Sequence, residues 1–229
     1  MSELIGIARL AAASTRLEAK REVDYRELES RSYISRCDSD RLPFRWMINP
    51  YRGCEFACKY CCARYTHEFM ELRDPYEFER RIFAKQFDAN RFRREVERLD
   101  LGETVAFGTA TDPYQPAERR FRVTRQMLEV LAGTAGLRIG ITTKSDLITS
   151  DAALLREVSR RHELTVMFTV TTVDAELARR IEPLAPRPDL RLGAVRTLSE
   201  AGVRCHVFCA PVLPLINDRE PQLRAVAVE

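Results

Sequence analysis

No stretch of this 229-residue sequence is apolar for long enough to cross a bilayer as a helix. Its start is mixed and polar, without the continuous apolar run of a secretory leader. Together these absences set the expectation of a cytoplasmic chain with no membrane partner. Lysine is scarce, with only Lys20, Lys59, Lys85 and Lys144, so arginine carries nearly all the positive charge. The formal net charge of +3 is too mild to argue nucleic-acid binding by itself. No internal repeat and no low-complexity tract is present, which excludes a solenoid. With no export signal, the seven cysteines read as reduced thiols and not as a disulfide frame.

A chain of this length, 45% hydrophobic, buries one good core. Residues 1–40 are charged and irregular, with helix expected over Leu4–Leu17 and Tyr25–Ser30, and read as a leader to a domain over residues 41–229. From Phe44 the pattern repeats. Strands are expected at Phe44–Ile48, Thr104–Gly108, Leu137–Thr143, Leu164–Thr171 and Val203–Ala210, where Leu137, Ile139 and Ile141 alternate at period two. Helices are expected at Tyr76–Leu99, Val123–Leu131, Asp151–Arg161, Asp174–Ile181 and Leu190–Ala201. Asp151 and Asp174 suit N-caps, and Gly202 suits a left-handed helix end. Strands alternating with helices imply parallel pairing with right-handed crossovers. The expected fold class is α/β, an open sheet or a partial (β/α) TIM-like barrel of five parallel strands. In such a barrel the loops leaving the strand C-termini form the site, and the polar residues of this chain concentrate there.

The first of these loops carries Asn49-Pro-Tyr-Arg-Gly-Cys-Glu-Phe-Ala-Cys-Lys-Tyr-Cys-Cys62, a C-x3-C-x2-C run through Cys54, Cys58 and Cys61. Three thiolates from one loop make a metal or cluster site one ligand short of closure. An open position marks a centre that does chemistry. Three readings stand: a zinc knuckle closed by His67 or Cys62, an unrelated group of buried thiols, or a 4Fe–4S cube with one open iron. Adjacent Cys61 and Cys62 chelate a single tetrahedral ion poorly. Arg52, Lys59 and Arg64 flank the run and suit a negatively charged cluster. The second loop holds Asp112-Pro-Tyr-Gln-Pro116, where Pro113 and Pro116 fix two φ angles. It is expected to hold Asp112, Tyr114 and Gln115 over the barrel mouth, or else to be a structural turn.

C-x3-C-x-aromatic-C, here Cys54, Cys58, Tyr60 and Cys61, resembles the signature of radical S-adenosylmethionine (SAM) enzymes. Three stretches resemble their spore photoproduct lyase-like or "DNA repair photolyase" branch: Asn49–Cys54, Gly108–Glu118 and Ala210–Asp218. The resemblance covers about Ser35 to Asp218. It implies a 4Fe–4S cluster on the three cysteines, SAM chelated to the fourth iron, and reductive cleavage giving methionine and a 5′-deoxyadenosyl radical. It also implies a small electron-transfer protein such as a flavodoxin or ferredoxin, and a substrate that is unidentified, with nucleic acid the guess by analogy. By position, Tyr60 packs near the adenine or cluster, Lys144 meets the SAM carboxylate, and Thr169 contacts SAM. Asp112 orients SAM or substrate, and Tyr114 relays a hydrogen atom.

Two departures qualify the likeness. Photoproduct lyases carry a hydrogen-donating cysteine where this chain has Thr109, whose O–H bond is far too strong to quench a carbon radical. Cys205 and Cys209 share a strand face and are candidates to replace the donor, or are core thiols. The family's core has six strands where five are found, so a shortened and even inactive form is one expectation. A zinc-stabilised binding module without redox chemistry is the rival.

Overall fold

The computed structural model describes residues 16–20 and 23–228. Among these residues ten strands build two sheets: β1 (Arg16–Lys20), β2 (Val23–Leu28), β3 (Ile34–Arg36), β4 (Trp46–Ile48), β5 (Tyr51–Arg52), β6 (Arg81–Lys85), β7 (Thr104–Phe107), β8 (Arg138–Thr143), β9 (Glu163–Thr169) and β10 (Cys205–Phe208). The helices are α1 (Glu77–Arg80), α2 (Ala89–Val96), α3 (Glu118–Phe121), α4 (Val123–Leu131), α5 (Ala152–Ser159), α6 (Ala175–Ile181), α7 (Pro188–Glu200) and α8 (Glu220–Val228).

The larger sheet runs β10-β9-β8-β7-β4-β3. All five expected strands are in it, and each neighbouring pair among them is parallel. β3 adds an antiparallel edge through Ile34↔Ile48. Leu164, Val166 and Phe168 are buried in alternation along β9, as are Ile139 and Ile141 along β8. They pack in one core with Met127, Leu131, Leu155, Val158 and Leu198 from the crossover helices. On the other face Gly140, Thr142, Thr165 and Met167 stay half-buried, as befits the inside of an unclosed barrel. β10 is the far edge, with Val207 and Phe208 exposed. Because the five strands are parallel, the loops that follow them emerge at one end.

The smaller sheet, β1-β2-β6-β5, was not expected. The helix anticipated over Leu4–Leu17 lies outside the described residues as far as residue 15, and Arg16 and Leu17 open β1. Tyr25–Ser30, also expected helical, begins inside strand β2, which pairs parallel with β6 from Asp24↔Arg81 to Leu28↔Lys85. The long helix expected over Tyr76–Leu99 is interrupted: α1 ends at Arg80, β6 follows, and α2 begins at Ala89 under an Asp88 cap that accepts from Arg91 N. Ile82, Phe83, Ala84 and Lys85 are all buried. A strand covered on both faces loses its period of two, and short apolar runs then mimic a helix.

Asp174 caps α6 as expected, accepting from Glu176 N and Leu177 N at 2.9 and 3.1 Å. Gly202, at φ +83°, ends the turn after α7. Asp151 makes no cap bond. Its carboxylate instead accepts from Tyr114 Oη at 3.1 Å and pairs with Arg125. No helix among the described residues is long and apolar enough to cross a membrane.

Candidate active site

At the shared end of the five strands lies a cavity of about 440 Å³. Cys54, Cys58 and Cys61 all line it, together with Tyr60, Thr109, Asp112, Lys144 and Thr169. Phe56, Ala63 and Phe78 give it an apolar floor packed against the thiols.

The cysteine loop takes its shape from two left-handed residues, Gly53 at φ +82° and Ala57 at φ +54°. A Cβ on Gly53 would stand 2.7 Å from Phe78 O and 2.9 Å from Arg81 O, so only glycine lets the loop lie against β6. Cys54 N donates to Phe78 O at 2.9 Å, and Lys59 N to Ile181 O at 2.8 Å. Burial raises the Cys54 thiol well above its ordinary pKa, with the Asp112 charge adding to the rise. Burial likewise pushes Cys58 up to about 11, against the pull of Lys144, and raises Cys61. Burial thus favours the protonated thiol at all three positions.

The facing wall is a polar lattice. Asp112, buried, accepts from Thr143 Oγ1 at 2.7 Å, Lys144 N at 2.7 Å and Tyr114 N at 2.9 Å. It thereby locks the second loop to the end of β8. Burial raises its pKa even so. Gln115, wholly buried, receives Glu55 N on Oε1 at 3.0 Å and donates from Nε2 to Gly53 O at 3.0 Å and Thr111 Oγ1 at 2.9 Å. It stitches the second loop to the cysteine loop and does not project over the mouth. Asn49 holds the same loop from β4, accepting from Ala110 N at 2.8 Å and donating to Thr109 Oγ1 at 3.0 Å.

Lys144 Nζ stands 5.6 Å from the centre of the Tyr60 ring, within cation–π range. The Tyr60 hydroxyl donates to Glu182 and lies 3.2 Å from Thr171 Oγ1. Thr171 also donates to Glu182, at 2.5 Å, and Arg191 Nη2 faces Glu182 Oε2 at 2.6 Å as an ion pair bent too far to count as a hydrogen bond. Glu182 and Arg191 are each 1% exposed. Burial works to raise the Glu182 pKa, but Arg191, Lys144 and the two hydroxyls outweigh it and hold the carboxyl below its ordinary value. Arg191 Nη1 also donates to Thr169 O at 3.0 Å, so the pair fixes both Tyr60 and the backbone at Thr169.

Several expectations change. Tyr114 does not line the cavity, because its ring is in the main core and its hydroxyl turns to Asp151. It is out of place for a hydrogen relay. His67 packs edge-on to Phe78 and Phe83 with Nε2 donating to Arg81 O at 3.1 Å, away from the cavity, so it does not complete a zinc site. Among the described residues no three His, Cys, Asp or Glu side chains are placed to hold one metal ion. Arg64 pairs with Glu79, donates to Cys58 O at 3.1 Å and acts on the Cys61 thiol, Lys59 is exposed, and Lys144 acts on both Cys58 and Cys61. Cys62, the other candidate to close a zinc knuckle, is exposed on the cavity wall, while Cys205 and Cys209 do not reach it. Sequence reasoning missed Glu182 and Arg191, which ordinary helix patterns at α6 and α7 conceal.

The cavity fits a cluster with one open iron. Three thiols share it, with a cation in the same cavity and an apolar floor.

The Radical SAM superfamily model matches residues 48–224. An uncharacterized protein of Mycobacterium tuberculosis is 39% identical over 178 residues, 77% of this chain and 52% of its own length. One from Methanocaldococcus jannaschii is 28% identical over 176 residues, covering 77% of this chain and 63% of that protein. The chain thus spans about half to two-thirds of the curated relatives it matches. Among solved structures, a mutant of spore photoproduct lyase superposes with TM-score 0.65 at 16% identity, over 88% of this chain and 57% of that one. A further mutant of that enzyme, with bound AdoMet and dinucleoside spore photoproduct, gives TM-score 0.61 at 17% identity over 80% and 50%. With a parallel sheet of the same fold and the family match over most of its length, this chain belongs to the radical SAM superfamily, whose members use a 4Fe–4S cluster and SAM.

Proposed function

We propose that this chain is a radical SAM enzyme in which Cys54, Cys58 and Cys61 hold the cluster and the cavity beside them receives SAM. The observation that carries this reading is the convergence of the three thiols and Lys144 on one cavity. When bound, the cluster supplies one electron that splits SAM into methionine and a 5′-deoxyadenosyl radical able to take hydrogen from a substrate.

The chain's own residues bind, orient and exclude water. Lys144 offers the SAM carboxylate a charge-assisted partner. Thr169, held through its carbonyl by Arg191, presents its hydroxyl to SAM. Tyr60, pinned by Glu182 and Thr171, forms a flat wall for the adenine. Phe56 and Phe78 keep water from the reacting carbon. Asp112 acts through Lys144, whose backbone it fixes, and is a positioning residue.

Nucleic acid is the substrate class suggested by the dinucleoside photoproduct named for the similar structures. Photoproduct repair itself is not assigned, since Thr109 occupies the wall where a thiol donor is expected. A small ferredoxin- or flavodoxin-like protein suits the role of reductant. The test is anaerobic reconstitution followed by reduction with SAM present. Equal methionine and 5′-deoxyadenosine are expected. Cluster-loaded protein that yields neither contradicts the reading.

A further inference from the structure

A second, smaller cavity of about 40 Å³ shares Ala110 with the first. It is lined by Ser35, Asn49, Tyr51, Arg52, Thr66 and Lys85. Two of these side chains are cations and none is an acid. Lys85 is only 8% exposed and Arg52 is half-buried. Among the described residues neither cationic group has a hydrogen-bond or ion-pair partner.

The neighbouring polar groups are engaged elsewhere. Glu95, whose charge acts on Lys85, accepts from Ser32 Oγ, Tyr33 N and Ile34 N at 2.9, 2.8 and 3.0 Å. The Tyr51 hydroxyl donates to Glu118, and the Thr66 hydroxyl to Ala63 O at 2.7 Å. Burial, reinforced by the Arg52 charge, draws the Lys85 pKa down to about 7. A buried cation beside a half-buried one, without an anion, is costly, and folded proteins pair such charges or neutralise them.

The space exceeds what one water needs. Guanidinium and ammonium together suit a tetrahedral oxyanion, the first by its planar fork and the second as a point charge. We propose that Arg52 and Lys85 form an oxyanion site that takes a phosphate group, and that this phosphate belongs to the substrate whose carbon enters the adjoining cavity. The second half of the statement rests on the functional reading above. The first half stands on Lys85 and Arg52 alone.

Thermal melting of the anaerobically reconstituted protein tests both halves, with inorganic phosphate, the dinucleotide thymidylyl-thymidine (one phosphodiester) and thymidine as probes. Phosphate at a hundredfold excess over its dissociation constant is expected to raise the melting temperature by roughly 5–10 °C. Its affinity should fall at least tenfold in Lys85→Met and in Arg52→Gln, with iron content checked in each. Lys85→Met without phosphate should melt above the wild type, because it removes an unpaired buried charge. Dinucleotide binding tighter than phosphate, with thymidine inert, places the anion on the substrate. Equal binding of dinucleotide and free phosphate overturns that assignment. No stabilisation by either, or the same stabilisation in both variants, overturns the site. Formation of 5′-deoxyadenosine by the wild type is scored separately, so an inactive enzyme that binds phosphate fails the functional reading alone.

Discussion

On one wall of the main cavity Cys54, Cys58 and Cys61 line the space from a single loop, whereas the opposite wall is braced from behind at Asp112, Thr143 and the carbonyl of Thr169. Asp112, Gln115 and the Glu182–Arg191 pair each make several contacts that fix a loop or a strand end. The contrast separates two kinds of work. Ligands must stay available to what they bind, while positioning groups hold only if their own bonds are satisfied. Mutations on the two walls should therefore fail differently, the first in cofactor content and the second in stability or SAM affinity.

The largest expected effect is total. Cys58→Ala should abolish iron, sulfide and 5′-deoxyadenosine together, and product formation in that variant would remove Cys58 from the ligand set. Next, Glu182→Ala leaves Arg191 buried without its counter-charge and should cost about 3–5 kcal/mol in denaturant unfolding. Adding Arg191→Met should recover most of it, and failure to recover would show that the pair is not coupled. The pH dependence follows from the same carboxyl. Its folded pKa is held below the ordinary 4.5, so its contribution is complete above pH 4.5 and lost as pH falls through the lowered value. The melting-temperature gap between wild type and Glu182→Gln should accordingly close on acidification.

Lys144→Ala should weaken SAM roughly 10- to 100-fold, the range of about 1.5–3 kcal/mol for a charged hydrogen bond, with iron content intact. Loss of iron would move Lys144 to a structural role. Smallest, Thr169→Val should cost SAM affinity a few-fold, about 0.5–1.5 kcal/mol, without changing the melting temperature. An unchanged affinity would leave Thr169 as wall only.

The legibility of the sequence divides along related lines. The five parallel strands could be read because each is a short apolar run followed by its own polar loop, with clear alternation along β8 and β9, information contained in a few consecutive residues. β2 and β6 could not. Tyr25 and Leu28 are the buried positions of β2, three residues apart, and they become strand positions only when β6 lies alongside. The cysteines were legible from spacing alone. Tyr114 was misread because proximity in the loop does not tell which way a ring turns, and its hydroxyl points down to Asp151. Glu182 and Arg191 lie at the end of one helix and inside the next, and only the packing of both against Thr169 and Thr171 reveals a buried pair.

The central claim is that three thiolates leave one iron open to SAM. Its most direct test is the electron paramagnetic resonance spectrum of the reduced, reconstituted protein with and without SAM, alongside its metal content. About four irons per chain and a spectrum that changes when SAM is added are the predicted result. A folded protein carrying one zinc and no sulfide, or a cluster spectrum indifferent to SAM, would contradict it.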